Sequence, residues 1–131
     1  MKKLRGYIFS RSFLGERAPQ RVQNIVLRDY CRTQGYELLL AAAEYAIPRS
    51  SLILRSVLDE LPAIDGVVMY SMFQLPEDQN ERHAIIFDDI LKQGKEIHFA
   101  AEAMKIVTSE DAHMIEQCWL VRQALAENSV I

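Results

Sequence analysis

Ser10, Arg11 and Ser12 are the residues of this sequence that could most directly do chemistry. They follow the apolar run Leu4–Phe9, which has the composition of a strand buried on both faces. An arginine side chain binds phosphate or carboxylate groups through paired hydrogen bonds, and serine hydroxyls add further donors. Because ligands of open α/β sheets bind at the carboxyl ends of the strands, this triplet predicts a cleft for an anionic ligand.

Other polar residues fall at the predicted strand ends, or in the loop and helix start that follow the first strand. The candidate ligand-binding residues are Arg11, Ser12, Arg17, Gln20, Tyr45, Tyr70 and Ser71, and the candidate catalytic residues are Ser10, Glu44 and Glu102. In this interpretation Arg11 and Arg17 hold the anion, and Glu44 or Glu102 acts as the base if a reaction occurs. The alternative is structural: Arg11 forms an ion pair with one of these glutamates, and the serines only cap helices.

The placement of the histidines argues against a catalytic triad and against a metal site. A nucleophilic serine needs a base or strong anion-stabilising donors. The three histidines are dispersed over two predicted helices and the middle of a predicted strand, where His98 suits the core. We therefore expect neither a triad nor a recognisable metal site. The loop of residues 12–17 contains one glycine, so it matches no phosphate-binding or dinucleotide-binding motif, and we expect no cofactor.

Strand and helix patterns alternate along the chain. The predicted strands are residues 4–9, 37–43, 67–70 and 96–101, and the predicted helices are residues 19–33, a helix from a Ser50 or Ser51 cap to residue 61, residues 76–92 and a helix after Thr108. Short connections between such elements favour right-handed crossovers and a parallel sheet. We predict a single α/β domain over residues 1–131, with four to five strands in the order 2-1-3-4 and helices on both faces.

The apolar spacing of two helices predicts which side of each faces the core. The predicted inward residues are Val22, Ile25, Val26 and Tyr30 in the first helix, and Met114, Cys118, Val121 and Leu125 in the last, where Ile115 and Trp119 broaden the face. Trp119 in the last helix has two interpretations, a contact in a homo-oligomer or packing against the sheet, and the second use is more common. Phe13 and Leu14 are similarly either a local hydrophobic anchor or a contact with a partner.

Composition narrows the class of protein. Half of the 131 residues are apolar, and the net charge of −3 contrasts with the basic surplus of nucleic-acid-binding proteins. No apolar stretch approaches the roughly 20 residues that a membrane span requires, and the N-terminal run is too short for a secretory signal. Cys31 and Cys118 fall on predicted helices far apart in sequence, which indicates reduced thiols. We expect a cytoplasmic homo-oligomer with no nucleic-acid partner.

Several segments resemble the catalytic domain of serine recombinases, the resolvases and invertases. The matching segments are Gly6–Arg11, Gln23 with Leu27–Cys31, Asp65–Ser71 and Glu96–Glu102. The resemblance implies a resolvase-like, broadly flavodoxin-like fold. That family carries Tyr-x-Arg-x-Ser at the first strand, where this chain has Phe9 for the arginine and Arg11 for the serine. Its arginine pair after the third strand is replaced by Met72, Phe73 and Gln74, so the resemblance does not imply strand exchange.

A second resemblance is to the sporadic carbohydrate cluster proteins, which occur in bacterial gene clusters for cell-surface polysaccharides. The matching segments are Arg5–Arg11, Gly15–Arg17, Pro19–Asn24, Leu27–Cys31, Ala43–Ala46, Leu58–Pro62 and Leu75–Asp78. This resemblance implies a part in making a surface sugar, such as an O-antigen component. It implies no particular activity and no site residues.

Together these inferences favour a protein that binds an anionic sugar or sugar nucleotide at the carboxyl edge of its sheet. The sequence leaves open whether a reaction follows binding. One alternative is a non-catalytic assembly or regulatory partner of sugar-biosynthesis enzymes, with Phe13, Leu14 and the last helix as contacts. A more distant alternative is a degenerate serine recombinase-like domain.

Overall fold

The computed structural model describes residues 1–128, which form five strands and four principal helices. The strands are β1 (Lys3–Ile8), β2 (Glu37–Ala43), β3 (Gly66–Met69), β4 (Glu96–Phe99) and β5 (Met104–Ile106). The helices are α1 (Gln20–Gln34), α2 (Leu52–Asp59), α3 (Gln79–His83) and α4 (Ser109–Asn128). α3 continues as a π-helical segment over Ala84–Leu91, and short 3₁₀ turns lie at Leu61–Ala63 and Met72–Gln74.

The strands form one sheet in the order β2-β1-β3-β4-β5. The first four strands are parallel, and β5 pairs antiparallel with β4. The predicted α/β class and the order 2-1-3-4 are therefore confirmed, with β1 in the interior of the sheet. Gly66 permits the close approach of β3 and β4, because a Cβ atom there would lie 2.2 Å from the carbonyl oxygen of Glu96. The three residues of β5 are too few to show a strand periodicity in the sequence.

Helices cover both faces of the sheet, as predicted. α1 packs on one face in a cluster that includes Leu27 and Val68, whereas α2, the π-helical segment and α4 pack on the other. Trp119 is fully buried on the face covered by α2 and α4, and its Nε1 donates a hydrogen bond to the carbonyl oxygen of Met72 at 3.0 Å. Packing against the sheet is therefore the role of Trp119 in this fold. No helix within residues 1–128 is both long and apolar enough to cross a membrane.

α1 is rotated relative to its predicted inward face. Its buried residues are Gln23, Leu27 and Cys31, whereas Val22 and Ile25 are exposed and Val26 and Tyr30 are half-buried. A buried glutamine is stable here because the Gln23 amide donates hydrogen bonds to the carbonyl oxygens of Phe9 and Ala18, each at 2.7 Å. The predicted stripe was right for Val26 and Tyr30, which pack against the core cluster. It was wrong for Val22 and Ile25, because apolar spacing does not reveal a buried polar side chain such as Gln23.

The inward face predicted for α4 was right for Ile115, Cys118 and Trp119, which pack in the core, but wrong for the other three residues. Met114, Val121 and Leu125 are exposed, while Ala112, Ile115 and Trp119 are buried. Apolar residues lie on several sides of α4, so their spacing does not identify one face. Packing of Ile115 and the hydrogen-bonded Trp119 against the sheet decides the rotation of the helix.

His98 is a fully buried core residue, as the sequence predicts. Its Nδ1 lies 2.6 Å from the Tyr30 hydroxyl, and its Nε2 lies 2.9 Å from the Glu96 carboxylate. Burial lowers the pKa of His98, although Glu96 acts in the opposite direction. Both cysteines are free thiols, and burial raises the pKa of Cys31 to about 11.

Candidate functional site

The carboxyl edge of the sheet opens into a cavity of about 670 Å³. Its walls come from three connections: the β1–α1 loop, the β2–α2 loop and the segment between β3 and α3, with Gln123 of α4 beside them. The aromatic and aliphatic lining consists of Tyr7, Phe9, Phe13, Pro48, Leu54, Phe73, Leu75 and Pro76. The tip of β1 therefore leads into a cavity that is large enough for a small-molecule ligand.

The charged lining of the cavity is divided between two walls. Arg11 and Arg49 belong to the connections after β1 and β2, whereas Glu77, Asp78 and Glu81 belong to the region after β3. Ser12, Ser50 and Ser51 add hydroxyl groups to the arginine wall. One wall thus suits an anion, and the other presents carboxylate oxygens that accept hydrogen bonds.

Arg11 is held in place without an ion pair. Its Cζ atom lies 4.3 Å from the centre of the Phe9 ring, and its Nη1 donates a long hydrogen bond of 3.5 Å to the carbonyl oxygen of Tyr45. Within residues 1–128 it forms no ion pair with Glu44 or Glu102, which was the structural alternative suggested by the sequence. Its guanidinium charge is therefore left to interact with a ligand.

Arg49 is a cavity residue that the sequence interpretation missed. It is exposed, and among the described residues it has neither an ion-pair partner nor a hydrogen-bonded one. Its φ of 63° lies in the left-handed region, which is uncommon for a residue with a Cβ atom. The sequence signal for Arg49 is weak, because Arg49 lies six residues beyond Ala43 at the end of β2, whereas Ser10 lies only two residues beyond Ile8 at the end of β1.

The pairing of the arginines depends on where they lie in the fold. Arg5, Arg32, Arg55, Arg82 and Arg122 each form an ion pair with a carboxylate. Arg11, Arg17, Arg21 and Arg49 lie in or next to the connections at the carboxyl edge and form none within residues 1–128, and Arg28 in the middle of α1 is likewise unpaired. The carboxyl edge therefore holds four arginines without an ion-pair partner in the described chain, alongside the carboxylates of Glu77, Asp78 and Glu81.

Glu44 is buried below the cavity and accepts five hydrogen bonds. The donors are the Tyr7 hydroxyl, the Ser50 hydroxyl and the backbone amides of Tyr45, Ile53 and Leu54, at 3.0–3.1 Å. Burial raises the pKa of Glu44, but the hydrogen bonds outweigh it and lower the pKa below its ordinary value. This arrangement caps the N-terminus of α2, and a carboxylate with its lone pairs so occupied is poorly suited to accept a proton.

Glu102 and Ser71 are brought together, as their positions at neighbouring strand ends suggest, but outside the cavity lining. The Ser71 hydroxyl donates to Glu102 at 2.7 Å, and the amide of Met72 donates to the other carboxylate oxygen at 2.9 Å. These contacts hold the turn that follows β3. Glu102 therefore stabilises the segment from which Phe73 and Gln74 reach the cavity.

Two buried amides connect the tips of β1 and β3. Gln74 Nε2 donates to Gln23 Oε1 at 2.8 Å, and Gln74 Oε1 accepts from the amides of Tyr70 and Ser71 at 3.0 and 3.2 Å. Gln23 in turn binds the carbonyl oxygen of Phe9. This network keeps the two strand ends at a constant separation, which is a requirement for a preformed site.

The other predicted site residues occupy different positions around the edge. Ser12 lines the cavity, whereas Ser10, Arg17, Gln20, Tyr45 and Tyr70 do not. Ser10 is half-buried and makes no hydrogen bond through its side chain with any described residue. The Tyr70 ring packs edge-on against Phe13 with centroids 6.4 Å apart, and Tyr45 is exposed beside Arg11. Residues 1–128 contain no group of three His, Cys, Asp or Glu side chains arranged to hold a metal ion.

Comparison with known proteins identifies a fold. No protein-family model and no curated protein sequence matches the chain. Among solved structures, the N-terminal catalytic domain of TP901-1 integrase matches with a TM-score of 0.71 and 14% identity, over 98% of this chain and 96% of that one. The similarity confirms the predicted resolvase-like fold, which is that of a serine recombinase catalytic domain. The resemblance to carbohydrate cluster proteins receives no support from these comparisons.

Proposed function

We propose that this recombinase-fold domain binds a phosphorylated sugar, such as a sugar nucleotide, in the cavity at the carboxyl edge of its sheet. The observation that carries the proposal is the presence of Arg11 and Arg49 on one wall without a carboxylate partner in the described chain. A guanidinium group matches the geometry of phosphate oxygens and binds them in pairs. The Ser12 hydroxyl supplies a further donor on the same wall.

The acidic wall supports a ligand that also carries hydroxyl groups. Glu77, Asp78 and Glu81 present carboxylate oxygens, which accept hydrogen bonds from sugar hydroxyls. One Glu81 oxygen already accepts from the Ser51 hydroxyl at 2.8 Å, so the two walls are connected at that point. Phe73 adds an aromatic ring on which an apolar sugar face or a base can pack. A ligand with its phosphate on the arginine wall and its sugar near the acidic wall would match both walls.

A role in surface-carbohydrate biosynthesis rests on the sequence resemblance alone. The same cavity would serve an enzyme or a non-catalytic partner of sugar enzymes. For catalysis, Ser10 as nucleophile and Glu44 or Glu102 as base stay predictions. The hydrogen bonds of both glutamates support structural roles, so the proposal concerns binding rather than a reaction.

The test is ligand binding by single-arginine variants. We expect Arg11→Ala and Arg49→Ala each to weaken UDP-glucose binding by about tenfold or more, because each removes a charge-assisted contact with phosphate. Isothermal titration calorimetry on the full chain measures the change. Arg28→Ala is the matched control, since Arg28 is also exposed and unpaired in the described chain but lies in the middle of α1. Unchanged binding in Arg11→Ala would overturn the proposal.

The fold similarity favours one second candidate, a degenerate recombinase-like domain that acts on DNA. Against it, the residue at the position of the family's serine is Arg11, and Ser10 has no hydrogen-bonded base in the described chain. Incubation with supercoiled plasmid, followed by denaturing electrophoresis, reveals any covalent protein–DNA adduct. We expect none; an adduct that disappears in Ser10→Ala would favour the second candidate.

A further inference from the structure

The β2–α2 loop exposes three large apolar side chains beside the cavity. The exposed fractions are 52% for Tyr45, 62% for Ile47 and 66% for Leu52. Pro48 between them is also exposed and lines the cavity. Contiguous exposed apolar residues at the mouth of a site indicate contact with an apolar partner, whereas isolated ones need no explanation.

Positive charge is interspersed with these apolar side chains. Arg49 lies between Ile47 and Leu52 in the loop, and Arg11 donates its hydrogen bond to the carbonyl oxygen of Tyr45. Both arginines lack a carboxylate partner within residues 1–128. One lip of the cavity, formed by Arg11 and residues 45–52, is therefore both apolar and cationic. We call it the apolar–cationic lip.

We propose that the apolar–cationic lip docks on the surface of an anionic bilayer, and that the phosphate bound in the cavity is carried by a lipid. This deepens the proposed function, on which it rests, by naming the ligand as a sugar phosphate esterified to a lipid. Tyrosine and aliphatic side chains partition into the interfacial region of a bilayer, and nearby arginines bind lipid phosphates. The charge pattern of the lip is complementary to that surface.

The position of the acidic wall agrees with this orientation. Glu77 and Asp78 line the same cavity but belong to the segment between β3 and α3, outside the lip, where their carboxylates are available to sugar hydroxyls. A DNA backbone would also pair with the arginines, but it would leave Ile47 and Leu52 in contact with water. The exposed apolar residues therefore favour a lipid over a nucleic acid.

The test is sedimentation of the full chain with two kinds of vesicle, phosphatidylcholine alone and equal parts of phosphatidylcholine and phosphatidylglycerol. We expect binding only to the anionic vesicles, weakened about tenfold or more in the double variant Ile47→Ser with Leu52→Ser. Leu40→Ser is the control, because Leu40 is 87% exposed on β2 outside the lip, and it should bind like the parent chain. Absence of binding to the anionic vesicles would overturn the inference.

A second arm separates this inference from the function on which it rests. UDP-glucose binding by the Ile47→Ser, Leu52→Ser variant should equal that of the parent chain, because the substitutions add no charge and remove no phosphate-binding arginine. Equal binding of UDP-glucose would also show that the variant folds. Binding of UDP-glucose without any vesicle binding would overturn the lipid inference and leave the proposed function intact. Retained vesicle binding in the double variant would also overturn the role of the lip.

Discussion

Arg82 and Arg49 are both arginines, but their surroundings are opposite. Arg82 is fully buried between α3 and α4, where Nε and Nη2 donate to Glu116 at 2.9 and 2.6 Å. Its Nη1 donates to two backbone carbonyl oxygens at 3.0 Å, and its Cζ lies 4.3 Å from the centre of the Trp119 ring. Arg49 is exposed at the carboxyl edge and has no such partner within residues 1–128.

The comparison separates polar groups that maintain the fold from those available to a ligand. A buried charge must be paired and hydrogen-bonded. The Glu116 carboxylate and the two backbone carbonyl oxygens beside Arg82 meet this requirement. The same criterion divides the carboxyl edge itself. Glu44 is saturated by donors, whereas Arg11 has a weak backbone hydrogen bond, the Phe9 ring beneath it and the Tyr7 hydroxyl nearby, but no carboxylate partner in the described chain. Position at a strand end therefore does not identify a functional residue; an unsatisfied charge at that position does so better.

The largest change in stability is expected from Arg82→Ala. Removal of Arg82 leaves the Glu116 carboxylate without its main partner and opens a gap beside Trp119, so we expect a loss of about 3–5 kcal/mol in the free energy of unfolding. Urea denaturation followed by circular dichroism measures it. Arg28→Ala, at an exposed unpaired arginine, should change stability by less than about 0.5 kcal/mol. Similar values for the two variants would contradict the structural role of Arg82.

A smaller effect is expected from Glu44→Gln. The substitution keeps the shape of the side chain but places an amide group against hydrogen-bond donors, which should cost about 1–2 kcal/mol at pH 7. Glu37→Gln is the control, since Glu37 is exposed and its side chain makes no hydrogen bond in the described structure. A Glu44 variant as stable as the control would restore Glu44 as a candidate base.

The pH dependence of stability tests the capping role of Glu44. Burial alone would raise the pKa of Glu44, but its hydrogen bonds more than offset burial, so its pKa in the fold lies below the ordinary value of 4.5. A carboxylate whose pKa is lowered by folding stabilises the fold above its unfolded pKa, and this is lost as the pH falls through the lowered value. The stability difference between the parent chain and Glu44→Gln should therefore shrink below pH 4.5. A difference that grows there would contradict the capping role.

The smallest effect on stability is expected from Arg49→Gln. Because Arg49 has no partner in the described chain, its replacement should change the free energy of unfolding by less than about 0.5 kcal/mol. The same urea titration measures this. A loss above about 1 kcal/mol would show that Arg49 stabilises the loop and would remove it from the ligand-binding set.

The part of the fold that could be predicted is the part encoded by local patterns. The bounds of β2 agree residue for residue with the prediction, and the order of the first four strands follows from short connections between alternating elements. β5 was not located because it has three residues and begins after the turn at Ala103, whose φ is 54°. At the candidate site, Arg11 and Ser12 were identified from their position after β1, but Arg49 was missed because it lies six residues beyond Ala43, where no local pattern marks a cavity-lining side chain.

By itself the sequence determined the alternation of strands and helices, the interior position of β1 and the polar triplet at its tip. These depend on the spacing of apolar residues and on chain connectivity, which act over short distances along the chain. Only the tertiary structure decided which polar groups are already satisfied: Gln23 by Phe9, Glu44 by the start of α2, and Trp119 by Met72. Those partners lie 10 to 47 residues apart, and no local periodicity encodes a hydrogen bond across such a separation.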